Sequence, residues 1–366
     1  MPNSVPIAMT GPWYEDVTQE LLNWFSANAR DLPWRCHYTP YEIWVSEIML
    51  QQTQMLRVVG YFRHFMSRFP TLQALAHANL EEVLSAWEGL GYYRRAKSLH
   101  ETARLVMTQY GGVLPSDQEK LEALPGIGHY TAAAIAAIAF EQPTVGVDAN
   151  VVRVLTRLFD YPEDVRSVTG KTCIERFART LLPRGQARAF NQALMELGAL
   201  ICGRKPLCTD CPWQKRCLAH AHGSESQRPV QPSPAQRQLR SVTAGLIVDS
   251  QRRLVLCQRP NHGIWANLWA LPEFTLQSNA DPVAYFSTCF ARQTGLSVRA
   301  LHWHTELRHA YTKWQILLQA RAYCLESVDL PKPFAWFAAC DVAHVPVPSP
   351  HRTLLERFFD RKAGRN

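Results

Sequence analysis

The sequence predicts a multidomain protein in which an all-α region precedes a smaller α+β domain. Apolar residues recur at helical spacing through most of residues 1–221, whereas strand patterns such as Val242–Val248 and Leu254–Gln258 appear beyond them. Residues 222–239 separate the two patterns and are polar and rich in proline and serine, a composition typical of a linker. We therefore expect a helical region, a linker, and an α+β domain over 240–366.

Capping signals and periodicity locate the individual elements. The clearest helix start is at Thr39, a good N-cap, because Pro40 suits the first turn and Glu42 completes a capping box. Helical periodicity further marks Glu15–Ser26, Leu80–Trp87, Arg94–Gln109, Thr131–Phe140, Val151–Phe159, Cys173–Leu181 and Ala187–Ala199. The terminal elements predicted are the strands Val242–Val248, Leu254–Gln258 and Trp314–Tyr323 and the helices Pro282–Gln293 and Arg352–Arg361.

The composition is that of a globular, basic chain. Among 366 residues, Lys and Arg outnumber Asp and Glu by 39 to 31, which gives a net charge of +8. This charge suits a polyanionic partner, although many basic proteins never bind nucleic acid. No apolar run of about 18 residues is present, so no membrane span is expected. The first residues lack the basic segment and apolar core of a secretion signal, which favours an intracellular protein.

A glycine-containing turn between two helical segments is the first functional signal. In Leu124-Pro125-Gly126-Ile127-Gly128, the two glycines permit a tight turn and leave backbone N–H groups uncovered at a helix N-terminus. Such N–H groups bind phosphate oxygens. An ordinary helix corner is the alternative, but the longer pattern continuing through Tyr130-Thr131-Ala132 favours a hairpin that holds the DNA backbone without reading sequence.

Two carboxylates are candidates for catalysis. Asp148 precedes an apolar helix, where an Asp commonly acts only as a helix cap. Glu47 lies on the apolar side of its helix, three residues after Trp44, so burial should raise its pKa and favour the proton-donating form. The alternative for Glu47 is a buried ion pair with an arginine. A neutral acid and an anionic carboxylate together could protonate a leaving base and stabilise the cationic sugar.

Four of the 10 cysteines form a cluster with the spacing C-x5-C-x2-C-x5-C. Such a cluster in an intracellular chain predicts a metal or iron–sulfur site. Four thiolates bind zinc as well as an iron–sulfur cluster, so the sequence leaves the metal open. The cluster comprises Cys202, Cys208, Cys211 and Cys217.

Taken together, these motifs resemble the endonuclease III superfamily and, within it, the MutY-type adenine DNA glycosylases, over nearly the whole chain. The resemblance implies an all-α helix–hairpin–helix glycosylase with an iron–sulfur cluster loop, followed by a Nudix-like domain. It implies a six-helix module over about 36–140 and an iron–sulfur module formed by the N-terminal helix and residues 141–221. Glu47 matches the acid that protonates N7 of adenine, Asp148 the carboxylate at the anomeric carbon, and Asn150 a residue that arranges it.

The same resemblance assigns further site residues. Tyr130 occupies the position of the Schiff-base lysine of bifunctional relatives, so excision without strong strand cleavage is expected. Gln52 and Tyr92 match residues that wedge into the duplex, although alone they fit a surface Gln and a core Tyr. The residues that match the pocket for the extruded adenine are Arg30, Leu32 and Trp34. Extrusion is required because the glycosidic bond is unreachable in the stacked duplex.

The cysteine cluster resembles the family's [4Fe–4S] loop, but its first gap is one residue shorter. The terminal domain resembles a Nudix fold in Trp265–Pro272, yet Arg292 and Gln293 replace the metal-binding Glu pair, so pyrophosphate hydrolysis is not expected. Where the family reads 8-oxoguanine with a Phe-Ser-His-like motif, this chain has Tyr311-Thr312-Lys313, and we expect Thr312 to contact DNA.

The expected function is therefore base excision of adenine opposite 8-oxoguanine or guanine in double-stranded DNA. We expect a cytoplasmic, nucleoid-associated monomer that carries a [4Fe–4S] cluster. One alternative is a thymine glycosylase for G·T mispairs, against which Glu47 and the Nudix-like domain argue. The other is a non-catalytic DNA-binding iron–sulfur protein, against which the presence of both Glu47 and Asp148 argues.

Overall fold

The structure is a computed structural model that describes residues 11–231, 238–277, 280–311, 314–326, 329–342 and 345–363. It divides into two compact units. Unit 1 comprises Met1–His77 and Ser98–Ser233, and unit 2 comprises Ala78–Lys97 and Pro234–Asn366. The predicted fold class, a helical region followed by an α+β domain, is confirmed. Within the described residues, no helix is long and apolar enough to cross a membrane.

Up to residue 221, most of the predicted helices are present and are a few residues longer than predicted. Their bounds are α1 Gly11–Asn28, α2 Pro40–Leu50, α3 Met55–Arg68, α4 Leu72–His77, α5 Leu80–Ala86, α6 Arg94–Gln109, α7 Gln118–Glu122, α8 His129–Phe140, α9 Ala149–Leu158, α10 Val168–Leu181, α11 Ala187–Leu200 and α12 Leu218–Ala221. The Thr39 side chain caps α2 by accepting the Glu42 N–H at 3.2 Å, as predicted. Helix α10 begins earlier than predicted because Ser167 caps it, accepting the Gly170 N–H at 2.9 Å.

Two glycines allow close packing around the C-terminal half of unit 1. A Cβ added at Gly146 would lie 3.2 Å from Cε2 of Tyr130, so the chain passes directly against α8 there. A Cβ at Gly198 of α11 would lie only 2.7 Å from the Cβ of Asn150 on α9. These contacts fix the segment that carries Asp148 between α8 and α11.

The helix–hairpin–helix turn joins α7 to α8. Gly126 has a positive φ of 79°, and a Cβ at this position would lie 2.5 Å from the Cβ of Ser98. Ile127 is buried between the helices, and Thr102 Oγ1 donates to the Pro125 carbonyl at 2.9 Å. The turn is therefore held by close backbone packing against α6, which only glycine permits.

Substitution of Gly126 by alanine is expected to lower the free energy of unfolding by about 2 kcal/mol or more. The added methyl group meets both the Ser98 side chain and an unfavourable positive φ. Chemical denaturation of G126A measures this loss. The matched control is G111A, because Gly111 also has a positive φ, of 61°, but has nothing within 4 Å of its added Cβ. Equal destabilisation by both variants would contradict the packing argument.

Unit 2 is built on a mixed sheet with strand order β3-β2-β1-β6-β5, in which β4 also pairs with β1 and β7 with β2. Only β1 and β6 are parallel. Helix α13 covers one face through Phe286, and α15 covers the other through Phe358. The bounds are β1 Gln238–Val248, β2 Leu254–Gln258, β3 Trp269–Ala270, β4 Glu273–Thr275, α13 Pro282–Thr294, β5 Arg299–Tyr311, β6 Trp314–Cys324, β7 Phe334–Phe337, α14 Ala339–Val342 and α15 Ser349–Ala363.

The structure places some segments in contexts that sequence patterns did not indicate. Within the predicted linker, Ser224 donates to Asp160 at 2.6 Å and Arg228 pairs with Asp160 at 2.8 Å, so this part packs on the helical unit. Residues 78–97 lie in the predicted six-helix module but pack in unit 2. Strand β5 was not predicted. It lies at the edge of the sheet, and most of its exposed side chains are charged or polar.

Candidate active site

Glu47 is a buried carboxyl with one neutral hydrogen-bond donor. It lies on α2 with 5% of its surface exposed, and the Tyr130 hydroxyl of α8 donates to its Oε2 at 3.0 Å. Burial raises the pKa of Glu47 to about 7; the Tyr130 hydrogen bond and the charge of Arg35 oppose this rise, and the charge of Asp148 adds to it. Near neutral pH, Glu47 therefore exists substantially as a proton donor.

The surroundings of Asp148 favour an anion more strongly than those of Glu47 do. As the N-cap of α9, its Oδ1 accepts the Val151 N–H at 2.7 Å, while Asn150 Nδ2 donates to its Oδ2 at 2.8 Å. Burial raises the pKa of Asp148, but these hydrogen bonds and the charge of Arg153 lower it. The partial positive charge of the helix N-terminus also stabilises an anion. The cap function and a catalytic function are thus compatible in one side chain.

Tyr130 connects the two carboxyls electrostatically. Burial raises its pKa well above the usual value, and the neighbouring charges of Glu47 and Asp148 raise it further. The phenol therefore stays neutral and serves as a hydrogen-bond donor. The charges of Glu47 and Asp148 both act on Tyr130, so the structure brings these three predicted residues into one site.

A second buried carboxylate, which the sequence analysis did not select, organises the segment after α1. Glu196 of α11 is fully buried and binds Arg30 at 2.7 and 2.9 Å and Arg35 at 3.1 Å. Although burial raises the pKa of Glu196, the hydrogen bonds from the two arginines lower it overall. Arg35 also donates to Gln192 at 2.9 Å. The available signal was an acidic residue between the apolar residues Met195 and Leu197 of a helix.

The residues predicted to receive the base lie in the same segment as Arg30 and Arg35. Leu32 and Trp34 are both buried, and the Trp34 ring packs edge-on against Phe62 with centroids 5.2 Å apart. Arg30 is partly exposed and is held by Glu196. The described ion pairs do not include Glu47, and Arg35, whose charge lowers the pKa of Glu47, pairs with Glu196.

Asn150 extends the site toward the cysteine loop. Its side-chain oxygen accepts from Arg153 Nη2 at 2.8 Å, and the same nitrogen donates to the Gly198 carbonyl at 2.8 Å. Arg153 Nε donates to the Cys202 carbonyl at 2.7 Å. A continuous set of hydrogen bonds therefore joins Asp148 to the first cysteine of the cluster.

The four clustered cysteines line one cavity, and their chemistry fits a metal centre. Burial and, to a smaller extent, the other thiols of the cluster raise the pKa of Cys211 to about 12 and that of Cys217 to about 11. Only bound positive charge would hold such thiols as thiolates. Arg157 Nη1 lies 3.4 Å from the Cys202 sulfur. Ligand atoms of Cys208, His220 and Glu225 also lie within 4.8 Å of one another, a mixed set for a single ion.

The predicted wedge residues share an unusual backbone conformation. Gln52 has φ 56° and Tyr92 has φ 51°, in the left-handed region that non-glycine residues seldom adopt. Both side chains are exposed, and they belong to different units. Gly128 is the N-cap residue of α8, with its backbone at the predicted phosphate-binding end. Thr312 lies outside the described residues.

Comparison with known proteins places this site in a class. The HhH-GPD superfamily base excision DNA repair protein model matches residues 45–179, and a NUDIX domain model matches residues 243–357. The helical region is thus that of a base excision DNA repair protein. The solved structure of a thermostable thymine-DNA glycosylase superposes with a TM-score of 0.52 and 31% identity, covering 57% of this chain and 97% of that one.

Curated relatives narrow the class. The adenine DNA glycosylase of Mycolicibacterium smegmatis is 40% identical over 236 residues, covering 63% of this chain and 80% of that protein. The adenine DNA glycosylase of Rattus norvegicus is 38% identical over 317 residues, covering 72% of this chain. The chain belongs to the adenine DNA glycosylase family, which confirms the resemblance. It spans 61% of the length of the rat relative.

Proposed function

We propose that this protein hydrolyses the N-glycosidic bond of adenine mispaired with 8-oxoguanine or guanine in double-stranded DNA, and that it acts as a monomer in the cytoplasm, on the nucleoid. The observation that carries the proposal is a pair of carboxyls in contrasting surroundings. Glu47 receives one neutral hydroxyl and has a pKa of about 7, while Asp148 receives two N–H groups at a helix N-terminus. Base excision requires both a proton donor and an anion.

Glu47 acts as the general acid. Its Oε2 accepts the Tyr130 hydroxyl, so the proton of the neutral carboxyl resides on Oε1. Transfer of this proton to N7 of adenine neutralises the leaving base as its bond to C1′ breaks. Because Tyr130 has no amine, it forms no imine with the sugar, and the reaction ends at base release.

Asp148 acts on the sugar. Its carboxylate stabilises the positive charge that develops on the deoxyribose until water adds to C1′ and loses a proton. Asn150 holds Oδ2 and the α9 backbone holds Oδ1, so the carboxylate is oriented before the substrate binds. This pre-organisation avoids reorganisation during bond cleavage.

The DNA contacts in this proposal are divided among several elements. The Gly126–Gly128 turn binds a backbone phosphate, and the exposed Gln52 and Tyr92 enter the duplex beside the mispair. Leu32 and Trp34 line the pocket for the extruded adenine, with Arg30 at its edge. We assign Thr312 of the Nudix-like domain a contact near the opposite base.

We assign a [4Fe–4S] cluster to Cys202, Cys208, Cys211 and Cys217. Bound there, the cluster would supply the positive charge that holds the four thiolates of this loop. Purified protein should contain about four iron and four sulfide per chain and absorb visible light. C211S should lose both, whereas C173S, outside the cluster, should retain both. Stoichiometric zinc without sulfide would contradict the assignment.

A panel of duplexes tests the function. Single-turnover release of the free base should be fastest from A·8-oxoguanine and measurable from A·G, with little release from T·G. Faster thymine release from T·G would establish the alternative thymine glycosylase activity. Tight duplex binding without release of any base would instead establish a non-catalytic DNA-binding protein.

A further inference from the structure

The loop that carries Tyr92 packs with the terminal domain, although it belongs by sequence to the glycosylase region. Residues 78–97 fall within the span matched by the base excision model, 45–179, but cluster with residues 234–366. We call residues 88–93 the Tyr92 loop. Its position is therefore tied to two residues of the terminal domain that lie more than 250 positions later in the chain.

Two contacts, one at each end of the Tyr92 loop, make this connection. At the start, Arg352 Nε of α15 donates to Glu88 Oε1 at 2.7 Å, and both side chains are about four-fifths buried. At the end, the buried Tyr93 donates its hydroxyl to the Val347 carbonyl at 3.2 Å. The Gly89 N–H donates back to the Tyr93 hydroxyl at 3.4 Å.

Arg352 is itself rigidly held within the terminal domain. Its Nη1 donates to the Val342 carbonyl at 2.6 Å and its Nη2 to the Val345 carbonyl at 2.7 Å. The planar guanidinium is thereby fixed in orientation before it meets Glu88. A lysine or a neutral side chain could not make these three contacts together.

The interior of the Tyr92 loop is equally constrained. Arg95 lies with its guanidinium 5.4 Å from the Trp87 ring centroid and 5.4 Å from that of Tyr92, and it donates to the Gly91 carbonyl at 3.1 Å. Trp87 Nε1 donates to the same carbonyl at 3.0 Å. A displacement of Glu88 should therefore also displace Tyr92, because these contacts hold the intervening residues in place.

We propose that Arg352 is a positioning residue for base excision, which holds the Tyr92 loop so that Tyr92 and the terminal domain engage the duplex as one body. This inference rests on the proposed function, in which Tyr92 enters the DNA. Arg352 acts through Tyr92 and touches no reacting atom. The terminal domain thereby contributes to opening the duplex as well as to contacting the opposite base.

A double-mutant cycle tests the proposal in the full-length protein. R352M should lower the single-turnover rate of adenine release from A·8-oxoguanine about tenfold, and E88Q should do the same, because they break the same pair. In a Y92A background, R352M should produce no further loss. The matched control is R357M on the same helix, since Arg357 binds Thr305 and the Glu306 carbonyl instead of the loop. It should retain the parental rate.

A second measurement separates this proposal from the proposed function. With 2-aminopurine beside the mispair, the parental protein should increase fluorescence by unstacking the duplex, and both Y92A and R352M should lose that increase whether or not adenine is released. A parental protein that unstacks the duplex but releases no base would overturn the proposed function, and loss of that unstacking in R352M would still support the positioning of Tyr92 by Arg352. Independent, multiplicative losses from R352M and Y92A, or a parental fluorescence change in R352M, would overturn the inference.

Discussion

Replacement of Asp148 by asparagine is expected to reduce the single-turnover rate of adenine release by about a thousandfold. The change removes the only charge assigned to stabilising the sugar cation. It preserves shape, and an asparagine oxygen can still accept the Val151 N–H, so α9 keeps its cap. Duplex affinity should therefore remain close to that of the parental protein, as measured by fluorescence anisotropy with a mispaired duplex.

D281N provides the matched control for this experiment. Asp281 also caps a helix, α13, accepting the N–H groups of Val283 at 3.0 Å and Ala284 at 2.7 Å. The variant makes the same change in charge and cap, but in the other unit. Its excision rate should be unchanged. Adenine release by D148N at the parental rate would rule out an electrostatic or covalent role for Asp148.

Replacement of Glu47 by glutamine is expected to produce a loss of similar size, about a thousandfold, because the amide cannot protonate adenine. The amide oxygen can still accept the Tyr130 hydroxyl, so local packing should persist. The measurement is the single-turnover rate of adenine release across the pH range on either side of neutrality.

The rate of adenine release by the parental enzyme should change with pH in a defined direction. Glu47 must be protonated to act, and its pKa is raised to about 7, so the rate should fall as pH rises through about 7. At lower pH the rate should fall again when Asp148, whose pKa is also raised, becomes protonated. E47Q should lack the decline near neutrality, whereas E42Q, at the half-buried start of the same helix, should retain it. A parental rate that increases through pH 7 would contradict the assignment of Glu47 as acid.

Local signals in the sequence were sufficient to locate much of this site. The Thr39 cap, the Gly126 turn and the Asp148 cap each depend on residues within a few positions, and the structure contains all three. The buried position of Glu47 followed from its place on an apolar helix face. Such features are decided by short-range backbone geometry and periodicity.

Contacts between distant segments could not be predicted in this way. Glu196 binds arginines more than 150 positions earlier, and Arg352 binds Glu88 across 264 positions. The Tyr130 hydrogen bond to Glu47 is another such pair. Sequence periodicity does not indicate which distant charged residues pair, because the pairing depends on how the helices pack together.

The central claim is that Glu47 is a neutral acid under conditions in which Asp148 is already an anion. Infrared difference spectroscopy of protein with carboxyl-labelled glutamate measures this directly, by subtracting the spectrum of E47Q from that of the parental protein. At about pH 6 we expect the C=O stretch of one protonated glutamate, which should disappear as pH rises through about 7. An aspartate-labelled sample, compared with D148N, should show ionised carboxylate at the same pH. Absence of a protonated Glu47 carboxyl, or protonation of both residues together, would contradict the account.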